Sequence, residues 1–411
     1  MSPSASLSTR IAFVAELARR LHQYGTASQR LEAAVTAVAE KLGMVCQVLA
    51  TPTGITLALA EAAHADDPLS LHTMIVRVDP GEVHLKLLAR VDDIADDVSS
   101  GKLDLAEGFR QLRALRAELS PRGKAITVLA HGLASAGVAG LLNTSVLDVA
   151  AAAGIGMVIG TLSLLSQGRH HVQAAFEAIA ALAATLMAAA FGHYVAPLNT
   201  QSVVLASLIV LLPGLMLTTA VAEVASQQLS AGTARFAGAM ATLLKLTFGA
   251  VAGTQIAFLF GWEGSVTLLP SVPGWAHWVA LLGASYAFAV LFRAGRRDYP
   301  LVMAAAWLGY LSAYVGRLQF GPEFAVFLGG LVVGATSNAY ARWASRPGAL
   351  IRVPGIILLV PGSVGFRSLS FVFEHDVFLG VDTTFHLIAI LASLVAGLLF
   401  GNLLIPPRRS L

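Results

Sequence analysis

Hydrophobic and polar positions divide the chain into two parts. Up to about residue 121, apolar residues recur either at helical spacing or in short alternating runs, as in a small water-soluble domain. Pro52-Thr53-Gly54 and Asp66-Asp67-Pro68 separate the alternating runs and are typical of turns. The pattern predicts a cytosolic α+β domain over residues 1–121. Its predicted helices are 11–21, 31–42, 84–99 and 105–119, and its predicted strands are 44–50, 55–61 and 72–79.

Two of these helices begin near side chains that can cap them. Ser28 can cap the second helix, and Asp104 with Glu107 resembles a capping box in which Asp replaces the usual Ser or Thr. The pairs Asp92-Asp93 and Asp96-Asp97 look like a divalent-metal cluster, but they are more typical of the solvated face of a helix. The glycine and terminal glutamate of an EF-hand loop do not follow them.

The remainder of the chain consists mainly of long apolar segments. Ten can be drawn, each long enough to cross a hydrocarbon core of about 30 Å. They predict a polytopic α-helical membrane protein with ten transmembrane helices, divided into halves at 122–260 and 261–411. The predicted spans are 125–143, 147–165, 173–191, 198–219, 234–260, 274–292, 300–317, 323–341, 349–371 and 384–405.

The two halves carry the same motif in the same register. Leu211-Leu212-Pro213-Gly214 and Leu359-Val360-Pro361-Gly362 lie 148 positions apart, and so do Gly232 and Gly380. Proline removes a backbone donor and breaks a helix, and matched broken helices are typical of secondary transporters with a site near the midplane. The alternative is that Pro-Gly only kinks these helices for packing. The substrate-binding candidates are Pro213, Gly214, Thr218, Lys245, Pro361, Gly362 and Ser363.

Charge supports this organisation and gives it an orientation. Hydrophobic residues make up 56% of the 411 and charged residues only 12%, against about 25% in soluble domains. If the first span runs outward, twelve Lys and Arg lie in cytosolic loops and ends, including Arg408 and Arg409. Only Arg317 and Arg367 lie outside, which is a strong positive-inside asymmetry. Both termini are therefore predicted to be cytosolic, and five spans per half predict an inverted repeat.

The same charge distribution excludes other functions. Because the basic residues lie in membrane loops, the pI near 9.1 does not indicate a nucleic-acid partner.

Cys46 is the only cysteine, which excludes an intramolecular disulfide and a Cys-based metal site. No signal peptide is expected, since residues 1–9 are polar. No catalytic, cofactor or metal constellation is visible, so we expect a transporter of the plasma (inner) membrane and not an enzyme.

Ionisable residues at membrane depth are the candidates for proton coupling. Glu223 follows the first break and is placed to pair with Lys245 or with Arg235, either as a proton relay or substrate clamp or as a static pair. Asp376 and Asp382, with His386, surround the last outer loop, where a solvated loop is the alternative. His131, in the first span, is interpreted as a hydrogen-bonded core histidine, with a proton carrier as the alternative. Three further polar residues could hydrogen-bond a small substrate or bond between helices: Asn199, Gln255 and Asn338.

The order of parts resembles the threonine/serine exporter family. The resemblance rests on Tyr24-Gly25-Thr26-Ala27-Ser28, Arg30-Leu31-Glu32, Leu42-Gly43, Gly101-Lys102-Leu103 and the two Pro-Gly breaks. It implies export of threonine, serine or related small amino acids coupled to the proton-motive force. The chain departs from the family pattern at Gln227-Gln228-Leu229, where an acidic residue is expected.

Two alternatives remain open. The first keeps the architecture but changes the substrate to a dicarboxylate such as succinate, which Lys245 and Arg367 would favour. The second is a membrane-anchored enzyme, which the lack of a catalytic constellation in residues 1–121 disfavours. The expected partners are a small-molecule substrate, protons and the lipid bilayer, and assembly into a homo-oligomer is left open.

Overall fold

The computed structural model describes residues 6–64, 71–262, 270–373 and 376–407. The predicted turn at Asp66-Asp67-Pro68 and the basic residues Arg408 and Arg409 lie outside this part of the chain. The N-terminal region packs four helices against a sheet, and its elements agree with the sequence pattern at most boundaries. They are α1 (Leu7–Gln23), α2 (Ser28–Lys41), β1 (Met44–Thr51), β2 (Gly54–Glu61), β3 (His72–Arg77), α3 (Leu85–Ser99) and α4 (Leu105–Ala114).

The sheet is antiparallel, in the order β1-β2-β3. Thr51 pairs with Gly54, so Pro52 and Thr53 form the turn of a two-residue hairpin. Alternate residues of β1 and β2, among them Cys46, Ile55 and Leu57, are buried beneath the helices. Alternation therefore places one face of the sheet in a core shared with α1–α4.

Several local predictions in this region are wrong. The N-cap of α2 is Ala27, and the N–H of Ser28 is donated to Glu223 instead. Asp104 caps α4 through Ala106, but Glu107 bonds to Arg110 and Gln111, so no reciprocal capping box forms. Asp92 is buried and not solvated, because α3 packs against the core on that side.

The end of α4 also differs from the prediction. This helix stops at Ala114 and not at residue 119. Ser120 is extended and caps the next helix, and an extended conformation is what proline at position 121 favours in the residue before it. The amphipathic pattern therefore continues beyond the residues that are helical.

Apolar helices form the rest of the described chain. They are α5 (Pro121–Leu141), α6 (Val146–Ser166), α7 (His170–Tyr194), α8 (Thr200–Ser207), α9 (Gly214–Ala225), α10 (Leu229–Leu259), α11 (Gly274–Leu291), α12 (Tyr299–Phe320), α13 (Pro322–Trp343), α14 (Ala349–Ile357), α15 (Gly362–Phe373) and α16 (Val377–Leu404). Within the described ranges, nine helical stretches are long and apolar enough to cross a membrane. One of these stretches, Ala349–Phe373, consists of α14 and α15.

Close contacts between helices depend on small residues. A Cβ atom on Gly249 of α10 would lie 2.9 Å from the carbonyl carbon of Ala178 on α7. A Cβ atom on Gly397 of α16 would lie 2.9 Å from the amide nitrogen of Leu331 on α13. Residues with larger side chains at these glycines would separate the backbones, so the small residues allow α7 to pack on α10 and α13 on α16.

Candidate functional site

The two predicted helix breaks lie against each other. The helical structure is interrupted twice, between α8 and α9 near Pro213-Gly214 and between α14 and α15 near Pro361-Gly362. A Cβ atom on Gly214 would lie 3.0 Å from the amide nitrogen of Gly362, and a Cβ atom on Gly362 would lie 3.0 Å from the Cα of Gly214. The approach therefore requires glycine at both positions.

The segment after each break packs in the same way. Gly232 of α10 faces α9, where its Cβ atom would lie 2.8 Å from the amide nitrogen of Val224. Gly380 of α16 faces α15, where its Cβ atom would lie 3.2 Å from the amide nitrogen of Val372. All these partners are separated by the same 148 positions as the two breaks. The repeated motif in the sequence thus corresponds to a repeated packing contact.

Backbone groups and apolar side chains surround the joined breaks. Pro213 is the N-cap of α9 and provides no side-chain acceptor, so the first N–H groups of α9 lack a side-chain cap. The hydroxyl of Thr218 is buried and donates to the carbonyl of Gly214 at 3.1 Å. Leu243 and Phe366 belong to the adjacent core cluster. Such a site can offer backbone donors and the positive end of a helix dipole to a carboxylate.

Two further candidates on α15 differ in environment. Ser363 is half-buried immediately after the second break. Arg367 lies one turn further along, and its Nε is buried and has no hydrogen-bond partner in the described part of the chain. A guanidinium with an unpartnered Nε therefore lies within two turns of the second break.

Glu223 pairs with Arg235, one of the two partners that the sequence left open. Its carboxylate accepts hydrogen bonds from Arg235 Nε at 2.9 Å and from Arg235 Nη2 at 3.2 Å. The N–H of Ser28 donates to the same carboxylate at 3.0 Å. Only 2% of Glu223 is exposed, so three donors hold a buried charge at the junction of α2, α9 and α10.

Lys245 has a different partner from those considered in the sequence. Its ammonium donates to Glu177 Oε2 at 2.7 Å and to the carbonyl of Ala174 at 3.3 Å, which ties α10 to α7. This pair is partly exposed, in contrast to the buried pair of Glu223. The structure therefore separates Lys245 from Glu223 and gives each its own counter-charge.

The acids of the last predicted outer loop also have local partners. Asp376 is the N-cap of α16 and accepts a hydrogen bond from the N–H of Leu379. Asp382 is exposed. His386 lies 3.6 Å from Glu323 of α13. The structure does not bring these acids together with Glu223, which lies at the end of α9.

The start of α2 is inserted between the two halves of the helical region. On one side, Ser28 bonds to Glu223, and Glu32 accepts a hydrogen bond from Gln228 at 2.6 Å. On the other side, Arg30 Nη2 donates to Asn338 Oδ1 of α13 at 3.4 Å. The residues that carry the family resemblance therefore form this contact, which we call the seam. Sequence reasoning marked them as a motif but could not give them partners.

Helix α3 extends the seam. The N–H groups of Leu85 and Lys86 donate to the carbonyls of Phe292 and Arg293, at 2.9 and 3.1 Å. Burial and the positive charge of Arg293 lower the pKa of His84, just before α3, to about 4. At the start of α2, burial raises the pKa of Glu32, and the nearby charge of Glu223 adds to this effect. Titratable groups of both signs therefore lie where the N-terminal region contacts the helices.

The remaining polar candidates lie in different environments. His131 is buried, and its Nδ1 lies 2.9 Å from the carbonyl of Thr127, as expected of a hydrogen-bonded core histidine. Asn199 caps α8, and Gln255 is exposed on α10. Asn338 donates to Asn402 and to the carbonyl of Ile405, which ties α13 to the end of α16.

The apolar helices and the paired breaks define a polytopic helical membrane protein. Residues 12–257 match one family model of threonine/serine exporters, and residues 277–404 match a second, described as "Threonine/Serine exporter, ThrE". The chain belongs to the threonine/serine exporter family, as the sequence motifs predicted.

Two relatives share about a quarter of their aligned residues with this chain. The chain is 24% identical over 374 residues to a protein of Eremothecium gossypii named pheromone-regulated membrane protein 10, covering 89% of this chain and 50% of the relative. It is 25% identical over 380 residues to a protein of the same name from Debaryomyces hansenii, covering 89% and 37%. This chain thus spans at most about half of the length of these relatives. No solved structure matches it significantly.

Proposed function

We propose that this protein is a secondary active transporter that exports threonine, serine or related small amino acids by alternating access, coupled to protons, and is not an enzyme. The single observation that supports this best is the contact between Gly214 and Gly362, because it brings the two helix breaks into one place. Family membership supports the class of substrate.

The membrane topology is part of the proposal. Helices α8 and α9 have 8 and 12 residues, which at 1.5 Å per residue give together a span of about 30 Å. Counted as one broken span, they raise the number of spans from nine to ten. Ten spans in two halves, 122–260 and 261–411, form a five-plus-five inverted repeat in the plasma (inner) membrane. Residues 1–121 and the C-terminus lie in the cytosol, as the distribution of basic residues requires.

The joined breaks form the proposed substrate site. The uncapped N–H groups at the start of α9, together with the N–H groups at the start of α15, bind the carboxylate of the amino acid, since helix N-termini favour anions. Pro213, Gly214, Pro361 and Gly362 create this geometry, while Thr218 and Ser363 lie within the first turns after the breaks. Lys245 contributes indirectly by fixing α10 against α7.

Glu223 is the proposed proton-coupling residue. In its charged form it holds both Arg235 and the N–H of Ser28, which keeps α2 between the halves. Protonation removes the charge that attracts these donors and so loosens the seam. Glu32 adds a second carboxylate beside Gln228, where the family pattern places an acidic residue. Asp376 and Asp382 are assigned a secondary role on the outer side.

A dicarboxylate such as succinate is the second candidate substrate. The observation that favours it is Arg367, whose buried Nε has no hydrogen-bond partner among the described residues and which lies close to the second break. A second carboxylate would provide one. Lys245 no longer supports this alternative, because its ammonium is already paired with Glu177.

Counterflow in liposomes containing the purified protein tests the proposal. Labelled threonine, serine and succinate are offered in parallel, with and without a pH gradient. Faster exchange of threonine and serine, stimulated by the gradient, is expected. Exchange of succinate alone would establish the alternative substrate, and exchange of none of them would refute the assignment.

A further inference from the structure

The buried carboxylate of Glu223 has no proton acceptor among its hydrogen-bond partners in the described part of the chain. These partners are the guanidinium of Arg235 and the N–H of Ser28, and both are donors without a lone pair that could receive a proton. Only 2% of Glu223 is exposed, so bulk water has little access to it. A proton bound by Glu223 therefore needs a further acceptor before it can reach the cytosol.

Glu32 is a carboxylate placed beside this site. It follows Ser28 by four positions on α2, so the two residues lie on the same side of the helix. The side chain of Gln228 donates to Glu32 Oε2 at 2.6 Å, and the backbone N–H of Gln228 donates to the carbonyl of Glu223 at 2.9 Å. Gln228 thus joins the two glutamates. Because Glu32 is only half-buried, it is the more accessible of the two to water.

Glu32 has no cation of its own among the residues that the structure describes. Its two oxygens accept hydrogen bonds from Gln228 and from the N–H of Ala50, which are neutral groups. The guanidinium of Arg235 is engaged by Glu223. Glu223, Glu32 and Arg235 together carry one net negative charge when both acids are ionised. Uptake of a single proton removes this charge, so the arrangement favours proton binding at the acid without a cation.

One other group near the seam has a free acceptor atom. His22 of α1 donates through Nε2 to the carbonyl of Thr51 at 3.1 Å, and its buried Nδ1 has no hydrogen-bond partner in the described ranges. Burial lowers the pKa of His22 and the charge of Arg235 adds to this effect, whereas burial raises the pKa of Glu32. Arg30 donates to α13 on the other side of α2 and leaves Glu32 unneutralised. Glu32 is therefore the better acceptor.

We propose that Glu32 accepts the proton from Glu223 and releases it to the cytosol, so that the N-terminal region forms the last part of the proton path. This inference rests on the proposed function, in which Glu223 carries the proton. Protonated Glu223 attracts Ser28 and Arg235 less strongly, and water that enters the loosened seam carries the proton across. The O–H bond on Glu223 breaks, one forms on Glu32, and Glu223 regains its charge and its donors. Glu32 then loses the proton to water on the cytosolic side.

The pH dependence of thermal stability shows whether Glu32 binds a proton in the folded protein. Full-length wild type and Glu32→Gln are compared in detergent, and the difference in their Tm is followed from about pH 4 to about pH 8. Because the pKa of Glu32 is raised by folding, the stability that its proton contributes is present below about pH 4.5 and is lost as pH rises. The wild type should therefore lose Tm relative to Glu32→Gln over this range. Glu40→Gln is the control, since Glu40 is an exposed glutamate of the same helix, and its difference from the wild type should stay constant.

Counterflow in liposomes tests the path itself. Stimulation, the ratio of exchange with and without a pH gradient, should fall about fivefold or more in Glu32→Gln. It should recover in part in Glu32→Asp, which keeps an ionisable carboxyl and also serves if Glu32→Gln does not fold. His22→Gln keeps a donor for the carbonyl of Thr51 and should retain the stimulation. Loss of stimulation in His22→Gln but not in Glu32→Gln would assign the path to His22 and overturn the proposal.

The two experiments separate this inference from the proposed function. A Tm difference between the wild type and Glu32→Gln that does not change with pH, or full stimulation in Glu32→Gln, would overturn the path and leave the transporter. Absence of exchange in the wild type would overturn the transporter and with it the path.

Discussion

At the scale of single residues, Glu223 combines burial with three hydrogen-bond donors. Replacing one member of a buried ion pair leaves the other uncompensated, which costs about 3–5 kcal/mol. The variant Glu223→Gln keeps the size and part of the hydrogen bonding but cannot carry a proton. We expect exchange in liposomes to fall by about tenfold or more and its dependence on the pH gradient to disappear.

A matched variant separates coupling from a general loss of charge. Glu177→Gln removes the carboxylate of the partly exposed pair with Lys245, and such pairs contribute about 0–1 kcal/mol. Its pH dependence should stay close to that of the wild type, and its exchange should fall only slightly, because the hydrogen bond from Lys245 to the carbonyl of Ala174 still ties α10 to α7. Unchanged pH dependence in Glu223→Gln would remove Glu223 from the coupling mechanism.

Gly214 gives a second prediction at this scale. A side chain there would be forced against Gly362 and Val360, so Gly214→Val should separate the two breaks. We expect exchange to fall by about tenfold or more while the protein still inserts, because the clash is confined to the breaks. Gly154→Val is the control, since a Cβ atom on Gly154 of α6 would have open space. Equal activity of the two variants would mean that the contact is not required.

The sequence predicted some of these residues and not others for a physical reason. Pro213-Gly214 and Pro361-Gly362 were identified because a helix break is a local property of the chain. For Glu223 two partners were predicted, Lys245 and Arg235, because only the charge of each residue and its predicted depth in the membrane were known. The contact between Arg30 and Asn338 was missed because these residues meet only after distant segments of the chain have packed.

At the scale of elements, α3 and its N-cap residue His84 contribute a pH-dependent term to stability. Burial and the charge of Arg293 lower the pKa of His84 in the folded protein to about 4, from the 6.5 of an unperturbed histidine. Between these values the unfolded chain binds more protons, so stability is lost as pH falls through this window. The Tm of the purified protein should therefore decline from about pH 6.5 to about pH 4, and less steeply in His84→Asn, which retains an acceptor for the N–H of Leu87.

The sign of this effect can be checked within the same experiment. Well above pH 6.5 His84 is neutral in both states, so the difference in Tm between wild type and variant should no longer depend on pH. A steeper decline for His84→Asn than for the wild type would contradict a lowered pKa.

Element boundaries show where the hydrophobic pattern misleads. The predicted fifth span began at residue 234, but α10 begins at Leu229. Arg235, the second residue of the predicted span, therefore lies further inside the helix than predicted, and it is paired with Glu223. A charge that has a partner on a neighbouring helix does not end a helix, and this partner cannot be read from local composition.

At the scale of the whole molecule, α2 connects the two halves. Alternating access requires these halves to move relative to each other. Cysteines at Glu32 and Gln228, in a Cys46→Ser background, can be joined by a short reducible thiol cross-linker. The cross-link should hold α2 in place and lower exchange by about tenfold or more, and reduction should restore it.

The control for this experiment lies within the N-terminal region. Cysteines at Arg90 and Gln111 join α3 to α4, whose side chains are already within 3.5 Å, without reaching the helical region. Cross-linking this pair should leave exchange unchanged. Full exchange with Glu32 and Gln228 cross-linked would show that α2 stays at the seam throughout the cycle.

The seam also has a consequence for the order in which the molecule is assembled. Arg30 and Asn338 are 308 positions apart. At a synthesis rate of about 5–20 residues per second, Arg30 leaves the ribosome about 15–60 s before Asn338 does. During this interval the N-terminal region has to fold without the second part of its binding surface. The Arg30–Asn338 side of the seam can close only after α13 has been made, later than the Ser28–Glu223 side, whose residues are 195 positions apart.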